Sequence, residues 1–180
     1  MKKHHIGLIG THGTGKTTYA NHIYRKLTGL FPDNTIALVS GIARQCPLPV
    51  NRQTSEAAQL WIFHHHIQRE IEAKDEAEAE YIICDRTVLD NLAYAEAAGL
   101  SDVVDACFPM ALWWLEKYTE LVWFSPVPGR LTEDGFRDTN PVFQLEIHNI
   151  LADWIQSFDI FVMEVNQGYK HLMETLRKLR

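Results

Sequence analysis

Eight consecutive residues, Gly10-Thr11-His12-Gly13-Thr14-Gly15-Lys16-Thr17, match GxxxxGK[ST] in full, with Thr18 next. Each part of that spacing has a task in holding polyphosphate. The glycines let backbone N–H groups turn inward around phosphate oxygens where a Cβ would block the approach. A helix opening near Lys16 adds unpaired N–H groups and the positive end of its dipole. Lys16 carries a mobile charge to the β- and γ-phosphates, and the Thr17 hydroxyl is a ligand for Mg²⁺. The stretch therefore predicts binding of a nucleoside triphosphate with magnesium.

A second constellation bears on what is done with the nucleotide. The apolar run Tyr81–Cys84 ends in Asp85-Arg86. An acid at such a strand end suits an outer ligand of the same Mg²⁺. Arginine in place of a following glutamate removes a water-activating base and supplies a cation for phosphate oxygens, which favours transfer to an acceptor over hydrolysis. No Asn/Thr-Lys-x-Asp guanine-recognition element is present. Further along, residues 125–140 carry Arg130 and Arg137 in a stretch rich in Pro and Gly. A loop of that length fits a lid that excludes water while charge develops, with Arg137 the preferred arginine and Arg130 the second. Arg44 is a candidate clamp for a polar or anionic acceptor. Trp61, His65 and Gln68 fall on one helical face at i, i+4 and i+7, where they could stack on and hydrogen-bond a ring. Neighbours in His64-His65-His66 project about 100° apart on a helix and cannot converge on one ion.

These groups need a scaffold, and the hydropathy pattern describes one. Short apolar runs at Ile6–Ile9, Ile36–Val39, Tyr81–Cys84, Leu121–Phe124 and Ile160–Met163 do not alternate with polar residues. This is the pattern of a parallel sheet covered on both faces. Helical stripes lie between them: Ala20, Ile23, Tyr24 and Leu27, with Gly29 at the expected C-cap; Leu60, Phe63, Ile67 and Ile71; Ile147, Ile150, Leu151 and Trp154, opened by Asn140 as N-cap and Pro141 behind it; and Tyr169, Leu172, Met173 and Leu176. Strands alternating with helices predict an α/β fold. Residues 41–53 read as irregular. The acidic stretch Glu70–Glu80 reads as the solvated end of a helix with no role, and His4 and His5 carry no evident chemistry.

Composition narrows the setting. A chain of 180 residues with 46% hydrophobic and 22% charged residues can bury a full core, and the expectation is one domain over 1–180. Seventeen Lys and Arg against 23 Asp and Glu give a net charge of −6, which disfavours nucleic acid as a partner. No apolar run is long enough to span a membrane, and the stretch after Lys2-Lys3 is too short for a signal-peptide core. The three cysteines form no CxxC pair and read as buried free thiols. The expected location is the cytoplasm.

Taken together, GTHGTGKTT at 10–18, Ala43-Arg44, CDRTVLDNLAY at 84–94, EDGFRD at 133–138 and Gly168-Tyr169 at a helix start resemble a P-loop ATPase/kinase group. That group includes the kinase domain of bacterial ribosylnicotinamide kinases and, more distantly, deoxynucleoside and thymidylate kinases. The resemblance implies a three-layer P-loop fold with a five-stranded parallel sheet and ATP·Mg²⁺ on the loop. It also implies an acceptor pocket facing the second strand and the helix after it, and adenine near residues 165–168. One position departs from the pattern. Related sequences commonly carry Glu three residues before the arginine matching Arg44, and here that residue is Gly41. Either Asp85 serves as base, or the acceptor is an already ionised monophosphate, or the fold binds ATP and phosphorylates poorly. The expected function is ATP-dependent phosphoryl transfer to a small nucleoside- or nucleotide-like acceptor. The alternatives are a nucleotide-binding switch acting through a protein partner and a kinase of nucleic-acid ends or modified bases.

Overall fold

The computed structural model describes all residues except 1–2, 51–52, 77, 130, 132–138 and 179–180. Five strands, β1 (His4–Ile9), β2 (Ile36–Val39), β3 (Tyr81–Cys84), β4 (Glu120–Trp123) and β5 (Met163–Glu164), form one sheet in the order β2-β3-β1-β4-β5. Every pairing is parallel, with Gly7 opposite both Cys84 and Leu121. The helices are α1 (Lys16–Leu30), α2 (Ile42–Gln45), α3 (Glu56–Ile71, continued by a π-helical turn over Glu72–Glu76), α4 (Val88–Ala97), α5 (Ser101–Leu115), α6 (Pro141–Ser157) and α7 (Val165–Lys178).

Two apolar layers flank the sheet, because successive side chains on each strand point to opposite faces. Ile6, Leu8, Tyr81, Ile83, Val122 and Phe124 pack with α1 residues Ala20, Ile23 and Leu27. Ile9, Val39, Ile82, Cys84 and Trp123 pack on the other side with residues of α3 to α6, among them Phe63, Leu89, Leu92, Ala111 and Ile147. The α/β class with a five-stranded parallel sheet is therefore as expected. The start of α6 is also as expected: Asn140 caps it by accepting from the Val142 N–H at 2.8 Å, and Pro141 is its first residue.

Four details correct the sequence reading. Helix α1 runs through Gly29 to Leu30, with Phe31 as its C-cap. The last strand is Met163–Glu164, and α7 follows directly from Val165, ahead of Gly168-Tyr169. Residues 41–53 contain the short helix α2. The largest correction concerns α3. Its buried residues are Ala58, Gln59, Ile62, Phe63, His66 and Glu70, while Ile71 is 41% exposed and Leu60 and Ile67 are only partly covered. The helix is rotated from the hydrophobic stripe because the inward Glu70 is paired with distant residues, as described next.

Candidate active site

The loop between β1 and α1 stands at the carboxyl ends of the strands. At Gly10, φ is 145° and an added Cβ would lie 2.4 Å from the Phe124 carbonyl oxygen, so the residue just after β4 excludes any side chain there. Gly15, at φ 94°, caps α1 without side-chain help, and a Cβ on it would meet nothing within 4 Å. Two other elements fasten the loop. Asp90 of α4, fully buried, accepts the Gly10 N–H at 2.8 Å on Oδ1. Its Oδ2 accepts the Thr87 N–H and hydroxyl, both at 2.7 Å, closing a capping box on α4. From α6, Gln144 Nε2 donates to the His12 carbonyl at 2.7 Å.

Two cavities meet beside this loop. The first is lined by Gly13 to Tyr19, His22, Phe124, Ser125, Val127 and Val165, together with Asp85 and Arg86. The second lies between β2, α2, α3 and α4, and its walls include Gly41, Arg44, Gln59, His66, Asn91 and Tyr94. Thr17, Asp85 and Arg86 line both. Among the described residues that line the two cavities, Asp85 is the one carboxylate.

The electrostatics at that junction are specific. Lys16, 4% exposed, donates through Nζ to the carbonyls of Gly10 and Thr11 and to Thr14 Oγ1. Burial lifts the Asp85 carboxyl above its ordinary range, opposed by a hydrogen bond from Thr17 and by the charges of Arg86 and Lys16. Burial also works against the charge on Arg86, but Tyr94, Asp90 and Asp85 more than offset it and keep the guanidinium charged. The guanidinium lies over the Tyr94 ring, 5.2 Å from its centroid, and 3.9 Å from Asp90 Oδ1. Arg86 has φ 145°, a region that side-chain-bearing residues rarely occupy. The Tyr94 hydroxyl accepts from the His12 N–H at 3.1 Å and also contacts His12 Nδ1 at 2.8 Å and Arg86 Nη2 at 3.4 Å.

The expected site residues divide accordingly. Gly13 to Thr18 line the first cavity with Asp85 and Arg86. His12 faces the second cavity instead, and Gly10 and Thr11 line neither. Arg44 lines the second cavity, beside Gly41. Trp61, His65 and Gln68 do share a face, with the Trp61 and His65 rings 4.4 Å apart, but they line a separate surface hollow with Ala57, Leu60 and His64. The α3 residues on the second cavity are Gln59, Ile62 and His66, about 100° round the helix from the expected face. Arg130 and Arg137 lie outside the described residues, and Val165 represents the expected adenine segment in the first cavity.

Sequence reasoning passed over Asp90, Tyr94, Gln59, His66 and Glu70. Glu70 is 1% exposed and accepts the Tyr118 hydroxyl at 2.6 Å on Oε1 and the Trp114 Nε1–H at 2.8 Å on Oε2, with His66 Nε2 3.1 Å from Oε1 and His5 Nε2 2.9 Å from Oε2. Burial raises its carboxyl, yet the bonds and charges of His5 and His66 outweigh that and hold it well below the ordinary carboxylate range. Cys84 Sγ lies 3.4 Å from His5 Nε2, so His5, Glu70 and Cys84 could in principle share an ion. With two hydrogen bonds and two histidine rings already on the carboxylate, the cluster ties β1, α3 and α5 together as a buried polar staple.

A family model for an AAA domain matches residues 5–171. No curated protein matches the chain significantly. Among solved structures the chain is similar to deoxyadenosine kinase from M. mycoides with the products dCMP and a flexible dCDP bound, at 15% identity and TM-score 0.65, covering 96% of this chain and 98% of that one. It is also similar to NadR in complex with NAD and AMP-PNP, at 15% identity and TM-score 0.71, covering 98% of this chain and 49% of that one. The chain thus spans about half the length of NadR. These likenesses identify the three-layer fold as that of P-loop nucleotide kinases.

Proposed function

The chain belongs to the AAA-domain family that matches residues 5–171, and from that premise we propose that it is a P-loop kinase moving the γ-phosphoryl group of Mg·ATP to a small nucleoside- or nucleotide-like acceptor. The observation that carries this reading is the meeting of two cavities at Thr17, Asp85 and Arg86. Phosphoryl transfer needs donor and acceptor held in line with little covalent help from the protein. A loop cavity for the donor and a second cavity opening onto the same three residues supply that arrangement.

In this reading the amides of residues 13–18 and Lys16 hold the β- and γ-phosphates. Lys16 exchanges its loop carbonyls for phosphate oxygens when nucleotide binds. Thr17 and Asp85, already hydrogen-bonded to each other, offer the hard oxygen donors that Mg²⁺ takes. The ion, when bound, neutralises charge on the phosphates. Arg86 stabilises the charge spread over the moving phosphoryl group, joined by Arg137 from the loop around 125–140. Arg44 stands at the acceptor side. Gln59, 2% exposed, gives its Nε2 to Thr54 Oγ1 at 2.9 Å, while its Oε1 has no hydrogen-bond partner and its side chain lines the second cavity. A buried acceptor atom of that kind calls for a ligand N–H. With Gly41 bearing no carboxylate, the proton of a hydroxyl acceptor goes to Asp85.

The test is ADP release from Mg·ATP with and without nucleosides, nucleoside monophosphates and ribosylnicotinamide. Acceptor-stimulated release, with phosphate recovered on the acceptor, is the expected result. Tight ATP binding with release unmoved by every member of the panel would replace the kinase reading with that of a nucleotide switch.

A further inference from the structure

The backbone of Arg86, at φ 145°, keeps a conformation that persists only where the surroundings determine it. Both chain neighbours are pinned. The Asp85 N–H donates to the Val39 carbonyl at 2.8 Å, and the Thr87 N–H to Asp90 Oδ2 at 2.7 Å. The side chain therefore starts from a fixed point where the two cavities meet. Its guanidinium stands at the end of a long stem with many rotamers, so the backbone does not settle where the charge lies.

Tyr94, two turns further along the same side of α4, settles it. Its ring lies under the guanidinium, 5.2 Å from centroid to carbon, and its hydroxyl accepts from Nη2 in a long hydrogen bond of 3.4 Å. Asp90 Oδ1 is 3.9 Å from Nη1, an ion pair beyond hydrogen-bond distance. Nη1 is buried and has no hydrogen-bond partner among the described residues. Among those residues Tyr94 is thus the side chain that hydrogen-bonds this guanidinium.

The Tyr94 hydroxyl also accepts the His12 N–H at 3.1 Å, but the loop has other anchors. Asp90 takes the Gly10 N–H and Gln144 holds the His12 carbonyl. Loss of the hydroxyl leaves both of those bonds in place. The guanidinium would keep only the ring and the distant Asp90 oxygen.

We propose that Tyr94 is a positioning residue for phosphoryl transfer, holding the Arg86 guanidinium where the two cavities meet before the reaction begins. The proposal rests on the kinase reading of that junction. A cation already in place stabilises developing charge without rearranging. One that samples other rotamers meets the moving group in only a fraction of complexes. Nucleotide affinity, carried by the loop amides and Lys16, does not depend on that fraction. Rate and affinity therefore separate.

The experiment is a double-mutant cycle on the full chain, with the best acceptor of the panel at saturation. Turnover of radiolabelled ATP keeps slow variants measurable, and calorimetry reads AMP-PNP affinity. Tyr94→Phe keeps the ring and should lower kcat at least about fivefold, the scale of one hydrogen bond to a charged group. Tyr94→Leu removes the ring as well and should lower it at least about twentyfold. AMP-PNP affinity should stay within about twofold of wild type in Tyr94→Phe. In an Arg86→Ala background Tyr94→Phe should change kcat by less than about twofold, because the group it positions is gone. A general loss of packing would act equally in both backgrounds.

An unchanged kcat in both Tyr94 variants, or a loss that persists in full beside Arg86→Ala, overturns the proposal and leaves the kinase reading in place. A loss that falls on AMP-PNP affinity in place of kcat overturns it too, and assigns Tyr94 to the loop through His12. Wild-type protein that phosphorylates no member of the panel overturns the kinase reading, and the proposal with it.

Discussion

Asp90 Oδ1 accepts the backbone N–H of Gly10 at 2.8 Å across 80 residues of sequence. The bond joins the first residue of the phosphate-binding loop to the helix that follows Asp85-Arg86. Loop and putting of Arg86 are therefore set by one fully buried carboxylate, whose other oxygen closes the α4 capping box.

Asp90→Asn tests that link. One of its carboxylate positions becomes an NH₂ facing N–H or O–H donors, so a buried donor loses its partner. We expect a stability loss of about 1–3 kcal/mol in urea unfolding, together with weaker ATP binding by calorimetry. Unchanged affinity in a folded, destabilised variant would confine Asp90 to a structural role.

Lys16→Ala should abolish turnover, since no other lysine lines the loop cavity among the described residues. Arg137→Ala should behave differently, lowering the rate more than the affinity for ATP, because a lid arginine acts on charge that develops in the transition state. Steady-state kinetics beside nucleotide titration separates the two. Full turnover in Lys16→Ala would remove the nucleotide site from this loop.

Glu70 makes stability depend on acid. Its folded carboxyl is held well below the ordinary value of 4.5, so its contribution is fully present above that value and is lost as pH falls below it toward the folded pKa. Replacing one partner of a buried ion pair costs about 3–5 kcal/mol. Glu70→Ala should therefore be less stable than wild type at pH 7, with the gap narrowing once the pH drops under about 4. Parallel unfolding curves at both pH values would contradict the assignment.

Gly41 sits at φ 68° as the N-cap of α2, and an added Cβ would meet nothing within 4 Å. Gly41→Ala should cost about 1–2 kcal/mol from left-handed strain alone, without a steric clash. A loss measured by thermal unfolding well beyond that range would mean the cavity wall rearranges. The same strain would oppose a glutamate at this position.

The loop was legible because its residues act through backbone geometry that the spacing GxxxxGK[ST] nearly dictates. The α6 start was legible for a similar reason: Asn140 and Pro141 are local signals, satisfied by neighbours within three residues. The face of α3 was not. A hydrophobic stripe places Leu60, Ile67 and Ile71 inward, yet His66 and Glu70 are buried because His5, Trp114 and Tyr118 pair with the carboxylate. Those partners lie 44 or more residues away, and no single-helix pattern encodes them. The error carried over to Trp61, His65 and Gln68, which turn outward when Gln59 and His66 turn in. Asp90 escaped notice for the same reason, its partner Gly10 being 80 residues away in sequence.

The fastening of the loop by α4 and α6 also sets the timing of its assembly during synthesis. Gln144, which holds the His12 carbonyl, lies 132 residues downstream. At roughly 5–20 residues per second of translation, the nucleotide loop leaves the ribosome on the order of ten seconds before its last anchor exists. Strand β1 likewise waits for partners, since His4 pairs with Tyr81 and Ile6 with Glu120. A nascent chain stalled before α6 therefore carries the entire phosphate-binding motif without its Gln144 anchor.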